Sequence, residues 1–179
     1  SAAVASFTIK KLGINTSFIG RFGDDDVSKI LIGELKKFQI KYKDSIIIKG
    51  AQSSQSYVYE DEDGERLLAA FNEKKLLNNK KLPKISFKKN ITFITDLRWI
   101  EATLYIAKNC HKKNLIHVVD LDNYKLTSKI KQIIDLASYP IFSETGAFEY
   151  TNTKSIISSL KKMNSLKNKF YAITAGKKG

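Results

Sequence analysis

Cysteine is almost missing. The single Cys110 rules out an internal disulfide and fits a reducing compartment, so the protein is read as cytoplasmic. Histidine is equally scarce. His111 and His117 stand apart, and with one cysteine and no paired ligand spacing no chelating metal site is expected. No apolar run approaches the roughly 20 residues a membrane helix needs, so no membrane partner is expected. Residues 1–10 carry no charged stretch followed by an apolar one, and no signal peptide is read there. A starting Met is also lacking, the pattern of a piece cut from something longer. Arginine is confined to Arg21, Arg66 and Arg98, although the formal net charge is +13. Base reading and bidentate phosphate gripping favour Arg. The lysines instead come in spread pairs, such as Lys36 with Lys37 and Lys112 with Lys113, where helix surfaces or loops are expected. Solvated lysine faces explain them, and nucleic acid is not expected as a partner. A basic nucleic-acid-binding α/β protein remains the rival from another class, marked by binding that falls steeply with salt. A positive field also draws anionic substrates in.

What is present suffices for one domain with a sizeable core: 179 residues, 42% of them hydrophobic. Ala2 to Leu12 has small and apolar residues at helical spacing and stops at Gly13. Asn15 to Gly20 reads as a short buried strand. Gly23-Asp24-Asp25-Asp26 makes a turn whose carboxylates suit the start of a helix over Val27 to Phe38. Ile30, Leu31, Leu35 and Phe38 are placed on one side of that helix. Ser45 to Lys49 and Ser56 to Glu60 are strand candidates. Asp63-Gly64 is a hairpin turn signal, and Arg66 to Phe71 is the return strand. Asn72 to Lys84 is linker-like.

After Pro83 strands and helices alternate. Strands are expected at Ile91–Thr95, Leu115–Leu121, Tyr139–Ser143 and Phe170–Thr174. Helices are expected at Trp99–Asn109, Ser128–Ala137 and Thr153–Met163. Short strands apolar on both faces imply a mostly parallel sheet covered by helices. Asn15–Gly20 is expected to join that sheet. Ligands in such folds sit beyond the carboxyl ends of the strands. That rule places Asp96, Arg98, Asp120, Asp122, Ser143, Glu144 and Gly176 along one edge.

Together these residues resemble the ribokinase-like (PfkB) carbohydrate kinases. The opening Ala2-Ala3 through Leu12-Gly13, then Phe18-Ile19-Gly20 and Gly23-Asp24-Asp25, is similar to that family's N-terminal signature. The hairpin Ser53 to Arg66 resembles its lid strands, within a lid segment of about 40–72. Ile91 to Trp99, Val118 to Asp122 and Ile141 to Glu144 resemble its central strands. Ala172 to Gly179 resembles the strand and turn that begin its nucleotide site. Asp96-Leu97-Arg98-Trp99 looks closest to the branch with ketohexokinase-like and sulfofructose-kinase-like members. The resemblance implies a three-layer α/β/α fold of Rossmann type, incomplete here, over residues 1–179, with a small antiparallel β lid. It implies ATP and Mg²⁺ as cofactors, a small-molecule sugar as partner, and transfer of a phosphoryl group to a sugar hydroxyl. Sugar contacts would fall on Ala2, Ala3, Asp24, Arg66, Asp96, Arg98 and Asp120. The nucleotide would meet Ser143, Glu144, Thr174, Gly176 and Gly179, with Glu144 near the metal.

The chain departs from the family pattern in several places. No double glycine and no first strand precede Ala2. Val4 stands where an asparagine is usual. Ser143-Glu144-Thr145-Gly146 aligns with an Asn-x-x-Glu motif and does not keep it. No Gly-Ala-Gly-Asp motif occurs, so no general base is assigned and the chain alone is expected to be inactive. A degenerate, non-catalytic binding member is the alternative. The unpaired sheet edge invites self-association, and a homodimer through the lid sheet is expected. Single residues keep plainer readings beside these: Asp24 as a helix cap, Arg66 as a cross-strand partner, Asp96 with Arg98 as a local capping pair, Trp99 as packing, and Cys110 as inert.

Overall fold

The first helix forms where small residues end in a glycine: α1 spans Ala2–Lys11, and Gly13 follows with a φ of 82°. The chain is described by a computed structural model over residues 2–62, 64, 66–122, 124–166 and 170–176. It divides into one unit of Ser6–Lys84 and another of Ser1–Ala5 with Ile85–Gly179, called here the hairpin unit and the sheet unit.

In the hairpin unit β1 (Arg21–Phe22) pairs in parallel with β2 (Ile46–Ile47). Between them lies α2 (Asp26–Lys37), capped by Asp25. Phe22, Leu35 and Ile40 form the core, with Phe7, Phe18, Ile32, Phe38 and Tyr42 packed against it. Ile30 and Leu31 are exposed, against the expectation from the sequence. Helical geometry explains this, because Ser28, Ile32 and Leu35 share one face at i, i+4 and i+7.

The segment Asn15–Gly20 is likewise corrected: it does not join the larger sheet. It holds one parallel bridge, Ser17 to Lys41, and its backbone partners lie in the stretch 41–48. Phe18 N–H donates to Lys41 O at 2.7 Å, and Ile46 N–H to Gly20 O at 2.9 Å. With those groups satisfied locally, the segment needs no distant strand.

A ribbon completes this unit. β3 (Gln55–Glu60) runs antiparallel to β4 (Arg66–Phe71), with Tyr57 opposite Ala69 and Tyr59 opposite Leu67. Tyr57, Tyr59, Leu67 and Leu68 are all more than half exposed, at 60, 63, 69 and 63%. An isolated two-stranded ribbon is marginal in water. Gly64 has a φ of 80°, as the turn signal requires; Asp63 lies outside the described residues. A short α3 (Lys74–Leu77) interrupts the segment read as a linker.

The sheet unit holds β5 (Phe93–Thr95), a 3-10 turn (Leu97–Trp99), α4 (Ile100–Lys113), β6 (His117–Leu121), α5 (Ser128–Leu136), β7 (Tyr139–Ser143), α6 (Glu144–Thr151), α7 (Ile156–Leu166) and β8 (Ala172–Thr174). The four strands are parallel, in the order β5-β6-β7-β8. Burial alternates along β6: His117, Val119 and Leu121 are buried, while Val118 and Asp120 are half-buried. Val119, Leu121 and Phe142 pack with Ile130, Ile133, Ile134 and Met163 in one core. Each such side chain contributes about 1.5–3 kcal/mol by burial. α6 was not expected from the sequence. Its start, Ser143 accepting Gly146 N–H at 3.1 Å, is an ordinary N-cap. Among the described residues no helix is long and apolar enough to cross a membrane.

Candidate functional site

Parallel pairing brings the carboxyl ends of four strands to one edge of the sheet unit. Thr95 is level with Val119, Leu121 with Phe142, and Ser143 with Thr174. The residues just beyond these points, Asp96, Asp122, Glu144 and Ala175-Gly176, therefore share that edge, as expected.

Asp96 is the best-defined member. Its Oδ2 accepts Ala2 N–H at 3.0 Å, and its Oδ1 accepts Arg98 N–H at 3.0 Å. Its carbonyl accepts the Thr103 hydroxyl at 2.7 Å. One carboxylate thus caps the 3-10 turn and ties down the start of α1. The structure brings Ala2 and Asp96 together, while the Arg98 side chain is exposed. Ala3 is half-buried in the first turn of α1. Trp99 is buried, in keeping with its packing role.

Asp120 is half-buried on the face of β6 turned away from Val119 and Leu121. Ser143 caps α6 and shares a hydrogen bond of 3.2 Å with the Thr145 hydroxyl. Glu144 is exposed in the first turn of that helix. Thr174 donates its hydroxyl to Phe142 O at 3.3 Å. Gly176 has a φ of 57°, and among the described residues nothing lies within 4 Å of where a Cβ would stand. That bare, left-handed turn leaves backbone open to a ligand. Gly179 lies outside the described residues. Asp24 and Arg66 belong to the hairpin unit: Asp24 is exposed beside the α2 cap, and Arg66 opens β4 opposite Glu60. The capping role that suited Asp24 is taken by Asp25.

The loop after β6 is tied to α6. Tyr124 donates its hydroxyl to Gly146 O at 3.0 Å, and Leu126 N–H donates to Glu149 Oε1 at 3.2 Å. A Cβ on Gly146 would stand 2.9 Å from both Leu121 O and Tyr124 Cε1. Burial pushes the Tyr124 phenol above its ordinary range, with Tyr150 and Glu149 adding to it, so Tyr124 stays a donor. Burial also pushes Tyr150 up to about 12. Gly146 and Tyr124 escaped the sequence reading. The Ser143-to-Gly146 cap spacing was the available signal.

Among the described residues no cluster of three His, Cys, Asp or Glu comes together to hold a metal. The oxygen donors of Ser143, Glu144 and Thr145 fit a hard cation that keeps most of its waters, as Mg²⁺ does. The open Gly176 turn fits close approach by a nucleotide.

A parallel α/β sheet with a polar carboxyl-end rim defines the class: an α/β protein of the kind in which ligands sit at that edge. The chain belongs to the pfkB family of carbohydrate kinases, whose model matches residues 1–179. A structure from Agrobacterium tumefaciens, provisionally assigned as a ribokinase, superposes with a TM-score of 0.86 at 23% identity, covering 98% of this chain and 57% of that one. Apo fructokinase from Vibrio cholerae O395 gives 0.78 at 20% identity, covering 99% and 66%. These likenesses establish the ribokinase-like fold. Fructokinase-2 of Zea mays is 34% identical over 58 residues, 32% of this chain and 17% of that protein. The chain spans less than two thirds of the length of these relatives.

Proposed function

We propose that the protein containing this chain is an ATP-dependent sugar kinase, and that the chain supplies the sugar rim and the beginning of the nucleotide site. The observation that carries this reading is the common edge shared by Asp96, Asp120, Ser143, Glu144, Thr174 and Gly176, in a chain matched by the carbohydrate kinase family over its whole length. Fructose-like sugars are the favoured substrate class, in line with the local likeness to fructokinase-2. The Vibrio cholerae fructokinase is solved with fructose, ADP and calcium ion, which supports a nucleotide and a divalent cation here too.

In this reading Ala2, Ala3, Asp24, Asp96, Arg98 and Asp120 serve the sugar, with Arg66 contributing from the lid segment of about 40–72. Ser143, Thr174, Gly176 and Gly179 serve the nucleotide. Asp96 is held rigid by two amides, so any sugar hydroxyl would meet its remaining lone pairs in a fixed direction. Gly176 offers backbone without a side chain in the way. Glu144 with Ser143 would hold Mg²⁺ through water, and the ion would supply charge neutralisation on the phosphates. A lid closing over the sugar would exclude water.

The sequence contains no Gly-Ala-Gly-Asp, so the general base that the family resemblance implies is not among these residues. The chain by itself is expected to bind without turning over. We further propose a cytoplasmic location and pairing of two copies through the exposed ribbon. Calorimetric titration with fructose, ribose and ATP·Mg²⁺, beside a coupled assay for ADP release, tests the reading. Saturable binding of a sugar or nucleotide without turnover is the expected result. Failure to bind any of them would overturn it.

A further inference from the structure

A buried polar knot in the hairpin unit has no part in the rim just described, and Asp25 is its centre. Asp25 Oδ1 accepts Ser28 N–H at 2.9 Å and the Ser53 hydroxyl at 2.8 Å, while Oδ2 accepts Ser53 N–H at 2.7 Å. The Ser53 hydroxyl in turn accepts Gly23 N–H at 3.0 Å. Asp24 N–H donates to Ala51 O at 2.8 Å. Ala51 and Ser53 are only 2 and 3% exposed. A Cβ on Gly23 would lie 2.4 Å from Ser53 N, 2.6 Å from Ala51 O and 2.6 Å from Gln52 C, all of them backbone. Two stretches of chain therefore touch here with no side chain between them.

Capping α2 needs only the bond from Ser28. The bonds to Ser53 reach 28 residues along the chain, so they do something a cap does not require. Ser53 lies two residues before β3. Within that strand every residue from Ser56 to Glu60 is exposed, and an isolated ribbon has little packing of its own to set its direction. The knot is the hydrogen-bonded structure that immediately precedes β3. Neither neighbouring carboxylate bonds to Ser53: Asp26 is paired with Lys29 at 2.8 Å, and Asp24 is exposed.

We propose that Asp25 is a positioning residue, whose carboxylate clamps Ser53 and so fixes the root and direction of the β3–β4 ribbon. If the ribbon is the lid of a sugar kinase, a reading this inference builds on, Asp25 is its hinge pin. The sequence points to neither half of the clamp, since Asp25 sits among three carboxylates and Ser53 in a featureless polar stretch.

Amide hydrogen exchange on the whole chain tests this, comparing D25N, S53A and the double variant with the parent. Loss of a charge-assisted bond predicts exchange roughly tenfold faster in β3 and β4, with α2, β1 and β2 changed less than about twofold. Because the two residues act on each other, the double variant exchanges no faster than D25N. Equal acceleration throughout residues 6–84 would reduce Asp25 to a stabilising cap and overturn the proposal. An unchanged ribbon would overturn it as well. If D25N fails to fold, S53A alone makes the same comparison. Calorimetry with fructose keeps the kinase reading separate. A ribbon loosened together with weaker fructose binding supports clamp and lid alike. A ribbon loosened in a chain whose parent binds no sugar supports the clamp and defeats only the lid.

Discussion

Removing the Asp96 carboxylate is expected to loosen the sheet unit before it affects any ligand. Asp96→Ala deletes an N-cap, which costs about 0.5–2 kcal/mol. It also deletes the bond from Ala2 N–H to a charged oxygen, worth about 1.5–3 kcal/mol. The two amides lie 3.0 Å from separate oxygens of one group, so the losses combine to about 3 kcal/mol. Asp96→Asn keeps one acceptor for Arg98 N–H, and Asn is a good cap. Its amide nitrogen then faces Ala2 N–H, donor against donor, and a loss of about 1–2 kcal/mol is expected. Urea unfolding followed by circular dichroism reads both values. The graded order, Ala worse than Asn worse than parent, is the signature of a carboxylate with two backbone partners. If both variants unfold within about 0.5 kcal/mol of the parent, Asp96 does not hold the Ala2 amide at the end of β5, and its place in the rim rests on ligand contacts alone.

Other outcomes follow from single contacts. Gly146→Ala places a methyl against Leu121 O and the Tyr124 ring and should cost about 1–3 kcal/mol in the same assay. Ile134→Ala opens a cavity in a fully buried position and should cost about 2–5 kcal/mol. Partial burial pushes the Asp25 carboxyl up, but the bonds from Ser53 and Ser28 outweigh it and hold it below its ordinary value. A carboxyl lowered on folding adds stability that is present above the unfolded-state value, roughly pH 4, and lost as pH falls through the folded one. The gap in unfolding free energy between parent and D25N should therefore be full near pH 7 and shrink below roughly pH 4. Burial pushes the Cys110 thiol up to about 11, so a thiol reagent at pH 8 should label it only as the chain unfolds. Sedimentation should show a dimer that Tyr59→Lys weakens, if two copies cover the ribbon.

The sheet unit was the most legible part of the sequence. β6 (His117–Leu121) and β7 (Tyr139–Ser143) are short, largely apolar stretches, and each pairs in parallel with its neighbours. Helix α6 was lost because Gly146 and the aromatic pair Phe148 and Tyr150 blur its periodicity, and Asn152 in the left-handed region separates it from α7. The segment Asn15–Gly20 has strand composition, but its partner near Lys41 is settled by tertiary pairing, which composition does not record. The rim positions at Asp96, Ser143, Glu144 and Gly176 followed from strand ends alone. The α2 cap was harder to read. Three consecutive carboxylates at 24–26 offer one helix cap, and only backbone direction chooses Asp25. Ser53 carries no local pattern, since its importance comes from residues 23 and 25.

Amide chemical shifts recorded while ATP·Mg²⁺ and fructose are added report most directly on where ligands meet the sheet. Perturbations grouped at residues 96–98, 120–122, 143–146 and 174–176 are expected. Perturbations grouped instead at the opposite strand ends, near Phe93, His117, Tyr139 and Ala172, or scattered over the lysine-bearing helix faces, would contradict a shared carboxyl-end site.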